Sequence, residues 1–277
     1  MIDDKKTVVI TYIDNNFEEN LEKDFLHTLR NVALYKGMVI LLDYGISNNM
    51  KNKIREKYNV KIYTFEKTMP VFTLRNRDIP NVIESLPEEI TNVMVIDGGD
   101  VWFQKSINQI FEITKDKIGF VTEPMVPEVK AWLSECQCNL RSIDSTKDFE
   151  ITDDNFKNSG MVCGPKEDIL KITKAVFTDT INAGKEFFGI DQLLFNYEVN
   201  KYEKNKLVYL NDEFNYVLIT HKNEFTLKDG QVFDKDFKLV TVVHNAGGNL
   251  RVLDKQYNRK NIDVSIYISK NIRPIKL

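Results

Sequence analysis

Four mostly apolar runs, separated by segments with helical spacing, restrict this chain to a narrow set of folds. They are Val8–Ile13, Met38–Leu42, Val60–Phe65 and Val93–Ile96. A strand that is apolar along both sides needs cover on both faces, and a parallel sheet between helices supplies it. Phe17–Lys36 is expected to be a helix, with Leu21, Phe25, Leu29 and Val32 on one face. That stripe reads as core packing rather than as a partner-binding surface. Ser47 is placed to cap a second helix over Asn49–Tyr58. Leu74–Leu86 reads as a third helical segment, with Pro80 expected near a start or a kink. The βαβαβ order predicts an α/β fold with helices on both faces of the sheet. Ligands of such sheets bind at the carboxyl ends of the strands. Asp14, Asp43 and Asp97 each follow a strand there and are expected to share one crevice.

The second half is less regular. Lys117–Thr122 and Gly160–Cys163 read as strands, Lys166–Phe177 and Gly189–Tyr197 as helices. Leu207–Leu210, Tyr216–Leu218 and Val240–Val243 read as further strands, which makes the sheet mixed. Val126–Asp154 shows no clear period and reads as a loop or a small insertion. The basic segment after Arg251 could meet an acidic membrane surface, but the alternation Val264, Ile266, Ile268 favours a closing strand. No Gly/Ser linker divides the 277 residues, so one domain over 1–277 is expected. A net charge of −3 gives no electrostatic footprint for nucleic acid. No apolar run is long enough to span a bilayer, and no signal peptide is evident at the amino end. Three cysteines, an odd number, argue against a disulfide framework, and their spacing does not suit structural zinc. A reducing, cytoplasmic setting is expected.

The most informative residues for chemistry are Asp97-Gly98-Gly99-Asp100, directly after the fourth run. Two carboxylates at a strand end suit Mn²⁺ or Mg²⁺, hard cations that bind one or two carboxylates together with substrate phosphates. The intervening glycines leave room for a bulky ligand near the backbone.

Seven segments, in order from residue 8 to 251, together resemble the family-8 glycosyltransferases of the GT-A fold. They are Asp14-Asn15-Asn16-Phe17, Leu41–Ser47, Leu74-Arg75-Asn76-Arg77, Ile96–Asp100 continuing to Lys105 and Phe111, Asn158-Ser159-Gly160, Asp191-Gln192 with Asn196, and Val243-His244-Asn245-Ala246-Gly247. Two segments depart from the family pattern. The acids are spaced Asp-x-x-Asp, so that Asp100 matches the second family aspartate while Asp97 stands one place early. Gly248-Asn249-Leu250-Arg251 replaces the family's Lys-Pro-Trp, with Arg251 near the lysine's place.

The resemblance implies a GT-A, Rossmann-like mixed sheet, with a nucleotide-binding half at about 1–115 and an acceptor-binding half at about 116–277. It implies a metal-dependent transfer of a sugar from a nucleotide-diphosphate donor, expected to be a UDP-sugar, to an acceptor hydroxyl with retention. The metal ligands would be Asp97, Asp100 and His244. Asp14, Asn16 and Phe17 would hold the base, and Arg77 or Arg75, Gly247 and Arg251 the phosphates or sugar. Asn158, Ser159 and Gly160 would face the sugar or acceptor. Asp191 would hold the donor sugar, and Gln192 would lie on the face where substitution occurs. If the reaction inverts instead, Asp191 is the natural general base. The acceptor is open: a glycan, a lipid-linked glycan or a protein hydroxyl.

Two other readings are weighed. A sugar-nucleotide nucleotidyltransferase needs a Gly-rich basic loop after the first strand, and this chain has no glycine before Gly37. A non-catalytic nucleotide-sugar-binding relative is compatible with the irregular acidic motif.

Overall fold

In the computed structural model, residues 3–143, 156–184, 187, 189–221, 224–229 and 231–246 are described. The four apolar runs form β1 (Thr7–Ile13), β2 (Met38–Asp43), β3 (Val60–Thr64) and β4 (Asn92–Ile96). All four run parallel, with β1 between β2 and β4. β5 (Val101–Phe103) leaves this sheet for a smaller one. β6 (Ile118–Phe120), β7 (Met161–Pro165) and β8 (Leu207–Tyr209) complete a seven-stranded sheet of order β3-β2-β1-β4-β7-β6-β8. β7 is antiparallel to both β4 and β6, so the sheet is mixed.

Side-chain alternation divides the interior into two cores. Val8, Ile10 and Tyr12 share one face with Ile40, Leu42, Val93 and Val95. Val9, Ile13, Val39, Leu41, Met94 and Ile96 face the other way. Along β1, β2 and β4 almost no residue on either face meets water, which is why these strands are apolar on both sides, while the edge strands β3 and β8 are partly exposed.

The second core is covered by α1 (Glu18–Asn20), a widened i→i+5 helical turn over Leu21–Leu26, and α2 (His27–Asn31), which together form one rod. Leu21, Phe25 and Leu29 are fully buried there, so the stripe is core. The rod stops at Asn31, short of the expected Lys36, because Leu34 takes a left-handed conformation at φ 56°. α3 (Asn48–Tyr58) begins at the Ser47 cap, whose hydroxyl accepts from Met50 N.

α4 (Val71–Glu84) covers the first core. Pro80 lies well inside α4 rather than near its start; it forgoes one backbone donor, while Leu74, Ile79, Val82 and Ile83 around it are buried. α5 (Asn108–Ile113) packs on the second core. The segment read as a loop from Val126 contains a 17-residue helix, α6 (Pro127–Ile143). Only Leu133, Cys136 and Leu140 anchor it fully, a stripe too thin to stand out against its polar neighbours. Residues 144–155 of that segment lie outside the described residues. α7 (Lys166–Ala183) and α8 (Ile190–Val199) complete the cover of the first core.

β9 (Tyr216–Val217), β10 (Thr226–Lys228), β11 (Gln231–Phe233) and β12 (Val242–His244) lie beyond the main sheet. β12 sits between β5 and β9, and β10 and β11 form a hairpin. Trp102, Tyr216, Leu218, Phe225, Val232, Val240 and Val243 form a third, smaller core. No helix among the described residues is long and apolar enough to cross a membrane. Cys136, Cys138 and Cys163 are free thiols.

Candidate functional site

Strand direction gathers the site. β1, β4 and β6 point their carboxyl ends to one edge of the sheet, and β7, running the other way, brings its preceding loop to the same edge. Asp14, Asp97, Glu123 and Asn158-Ser159-Gly160 therefore meet there. They line a cavity of about 690 Å³ together with Asp100, Asp191, Gln192 and His244. That volume lies in the range of small-molecule and cofactor sites.

The register of the two sheets explains the acidic cluster. Ile10 pairs with Val95, so Tyr12 and Asp97, two residues on, face the same side; the Tyr12 hydroxyl contacts Asp97 Oδ1. His244 pairs with Val101 on β5, directly after Asp100, and Asn245 N donates to the Asp100 carbonyl at 2.8 Å. His244 Nε2 thus comes to 3.4 Å from Asp97 Oδ2 and 3.6 Å from Asp100 Oδ1. One ligand atom from each of the three residues lies within 4.8 Å of the others, a group able to hold a metal ion.

The chemistry of these donors fits a divalent cation. Two carboxylate oxygens and an imidazole nitrogen suit Mn²⁺ or Mg²⁺ in part and leave positions for phosphate oxygens. His244 Nε2 is buried and makes no hydrogen bond among the described residues. Its ring is only 3% exposed, and Nδ1 is 3.0 Å from Asn215 Oδ1. A Cβ at Gly160 would fall against His244 Cε1 and 2.9 Å from Asp97 Oδ2, so only glycine leaves that space open. Gly98 and Gly99 line the cavity as well, but on their own Cβ sides lie Thr11 and Phe17.

The groups are electrostatically strained without a cation. Burial pushes Asp97 up to about 6, against the pull of His244, with Asp100 and Asp191 adding to the rise. Burial would lower His244, but Asp100 and then Asp97 outweigh it and raise it to about 9. A bound cation would displace those protons, since ligands bind metal in their deprotonated forms.

Arg75 on α4 ties the cluster to α8. Its Nη1 donates to Asp97 Oδ1 at 3.0 Å and its Nη2 to Asp191 Oδ2 at 2.5 Å and Ser159 Oγ at 3.0 Å. Its guanidinium also lies over the Tyr12 ring, 4.9 Å from the centroid. Gln192 Nε2 donates to Glu123 Oε2 at 2.7 Å, and Asn158 Nδ2 to the same oxygen at 3.1 Å. At the far end, Phe17 lines the cavity and is 39% exposed. Asp14 accepts from Asn16 and pairs with Lys67 at 2.7 Å.

Eleven of the expected site residues thus line one cavity: Asp14, Phe17, Arg75, Asp97, Asp100, Asn158, Ser159, Gly160, Asp191, Gln192 and His244. Asn16 does not line the cavity; it is exposed and donates from its backbone N and its Nδ2 to Asp14. Arg77 is turned away and held by Asp78, with Nε to Oδ1 at 2.8 Å and Nη2 to Oδ2 at 2.7 Å. Gly247 and Arg251 lie outside the described residues, as does the basic segment after them. Asp43 does not join the crevice: it is fully buried, accepts from Gly45 N and Ile46 N, and pairs with Lys51. Tyr12, Glu123, Trp132 and Asn215 were not expected at the site. Glu123 follows a strand end as Asp97 does, a signal readable in advance; the other three carry none.

No protein-family model matches this chain, and no curated protein matches it.

Proposed function

We propose that this chain is a divalent-cation-dependent glycosyltransferase of the GT-A type. It would move a sugar from a nucleotide-diphosphate donor, expected to be a UDP-sugar, to an acceptor hydroxyl with retention. One observation carries the reading: His244 Nε2, without a hydrogen bond among the described residues, faces Asp97 and Asp100 in a cavity of the size of small-molecule and cofactor sites. The order of the seven family-like segments supports it.

Asp97, Asp100 and His244 would hold Mn²⁺ or Mg²⁺, which supplies Lewis-acid neutralisation of the charge that builds on the leaving diphosphate. Phe17 offers an exposed ring against which a base can stack, and Asp14 and Asn16 offer polar groups to its edge. Arg75 takes the anion- or sugar-contacting role in preference to Arg77, whose guanidinium is committed to Asp78. Arg251 remains assigned to the diphosphate. Asp191, fixed by Arg75, would orient a donor-sugar hydroxyl, and Gln192 would lie beside the anomeric carbon. Asn158, Ser159 and Gly160 complete the sugar side. With retention and front-face attack, the departing phosphate takes the acceptor proton, and no dedicated base is needed.

Calorimetric titration of UDP and other nucleoside diphosphates, with and without Mn²⁺, tests the reading on wild type and Asp100→Ala. UDP binding that needs both Mn²⁺ and Asp100 is the expected result. No nucleotide binding with any metal would overturn it.

A further inference from the structure

A chain of hydrogen bonds of fixed sense ends on His244. The Glu123 carboxylate accepts from Asn158 Nδ2 at 3.1 Å, and Gly160 N–H donates to Asn158 Oδ1 at 2.8 Å. A carboxylate accepts and a backbone N–H donates, so the Asn158 amide has one allowed orientation. Asn158 Oδ1 then also accepts from Asn215 Nδ2 at 3.0 Å, which turns Asn215 Oδ1 toward His244 Nδ1, 3.0 Å away. An oxygen there accepts, so the proton of the neutral ring sits on Nδ1. Once a cation displaces the second proton, the lone pair of Nε2 faces the space between Asp97 and Asp100.

The fold holds this relay rigidly. Asn215 is fully buried and Asn158 nearly so. Asn215 sits just before β9, and the register that sets Val217 beside His244 brings its amide to the ring.

We infer that Asn215 is a positioning residue that selects the cation-binding tautomer of His244, with Asn158 and Glu123 setting its orientation. The inference rests on the reading of His244 as a cation ligand. Partners of this kind behind a ligating histidine fix its tautomer and ring orientation, and their loss typically costs 10–100-fold in metal affinity.

The test titrates Mn²⁺ into the full chain, alone and with excess UDP, and counts the free ion by its EPR signal. Asn215→Leu, close in volume, is expected to weaken Mn²⁺ binding about 10–100-fold. Asn215→Asp restores an acceptor for Nδ1–H and is expected to recover most of that loss. A merely structural role predicts the reverse order, because aspartate places a second acceptor against Asn158 Oδ1. Should the leucine variant not fold, Asn215→Ala, whose side chain offers Nδ1 no acceptor, carries the same expectation. Wild-type binding with unchanged affinity in Asn215→Leu overturns the inference and leaves the cation reading standing. No Mn²⁺ binding by wild type, with or without UDP, overturns both.

Discussion

Asp24 gives the fold a pH dependence whose size follows from its surroundings. It lies in the widened turn between α1 and α2, is 3% exposed, and its Oδ1 has no partner. Its other oxygen accepts only from Asn20 Nδ2, at 3.2 Å. Burial raises its pKa to about 7, with Asn20 and Lys23 pulling weakly down and Glu22 pushing up. An acid raised in the folded state binds more protons there than in the unfolded chain. Its contribution to stability is therefore present at low pH and is lost as pH climbs from about 4 to about 7. With the unfolded value near 3.8, linkage gives a loss of about 2–3 kcal/mol between about pH 5 and about pH 8. Asp24→Asn keeps the shape and removes the titration. Urea unfolding of both proteins at the two pH values measures the effect. The stability of wild type relative to Asp24→Asn should fall by about 2–3 kcal/mol as the pH is raised. A relative stability that stays constant, or that moves in wild type's favour on raising the pH, would refute the argument.

Arg75→Met leaves Asp97 and Asp191 facing each other's charge with their shared cation gone. Removing one partner of a buried ionic group typically costs about 3–5 kcal/mol, read by urea unfolding, and a cost below about 1 kcal/mol would show that Arg75 does not hold the cluster. Gly160→Ala places a methyl in the space between His244 and Asp97. Mn²⁺ affinity should fall at least about tenfold and stability by about 1–3 kcal/mol as the buried groups shift; undiminished affinity would place the cation elsewhere.

The main sheet and most of the cavity were legible in the sequence for one reason. Apolar runs announce strands, and strand ends announce the edge where ligands sit, so Asp14 and Asp97 are placed by pattern alone; the loop before Met161 joins them because β7 runs antiparallel, which no local pattern announces. Glu123 obeys the same rule, three residues past β6, but carries no motif to single it out. Arg75 and Arg77 could not be told apart, since the outcome depends on which turn of α4 faces Asp97. α6 was hidden by its thin buried stripe, and β5 by its length of three residues. Asn215 was invisible because its role depends on the β9–β12 register, a pairing between distant segments with no local trace. Asp43 shows the limit of the strand-end rule: an acid at the right edge can be spent wholly on closing its own turn.

β12 also links the site to the order in which the molecule assembles. Asp97 and Asp100 come from the first half of the chain, whereas His244 arrives only when β12 slots between β5 and β9, about half the sequence later. A cation held by all three would clasp the small third core to the large sheet, as a cross-link closing a very long loop does. Chelation would then release more than a substrate anchor. It would loosen a whole sub-structure, and amides of β9 and β12 would exchange their hydrogens sooner than those of β1 and β4.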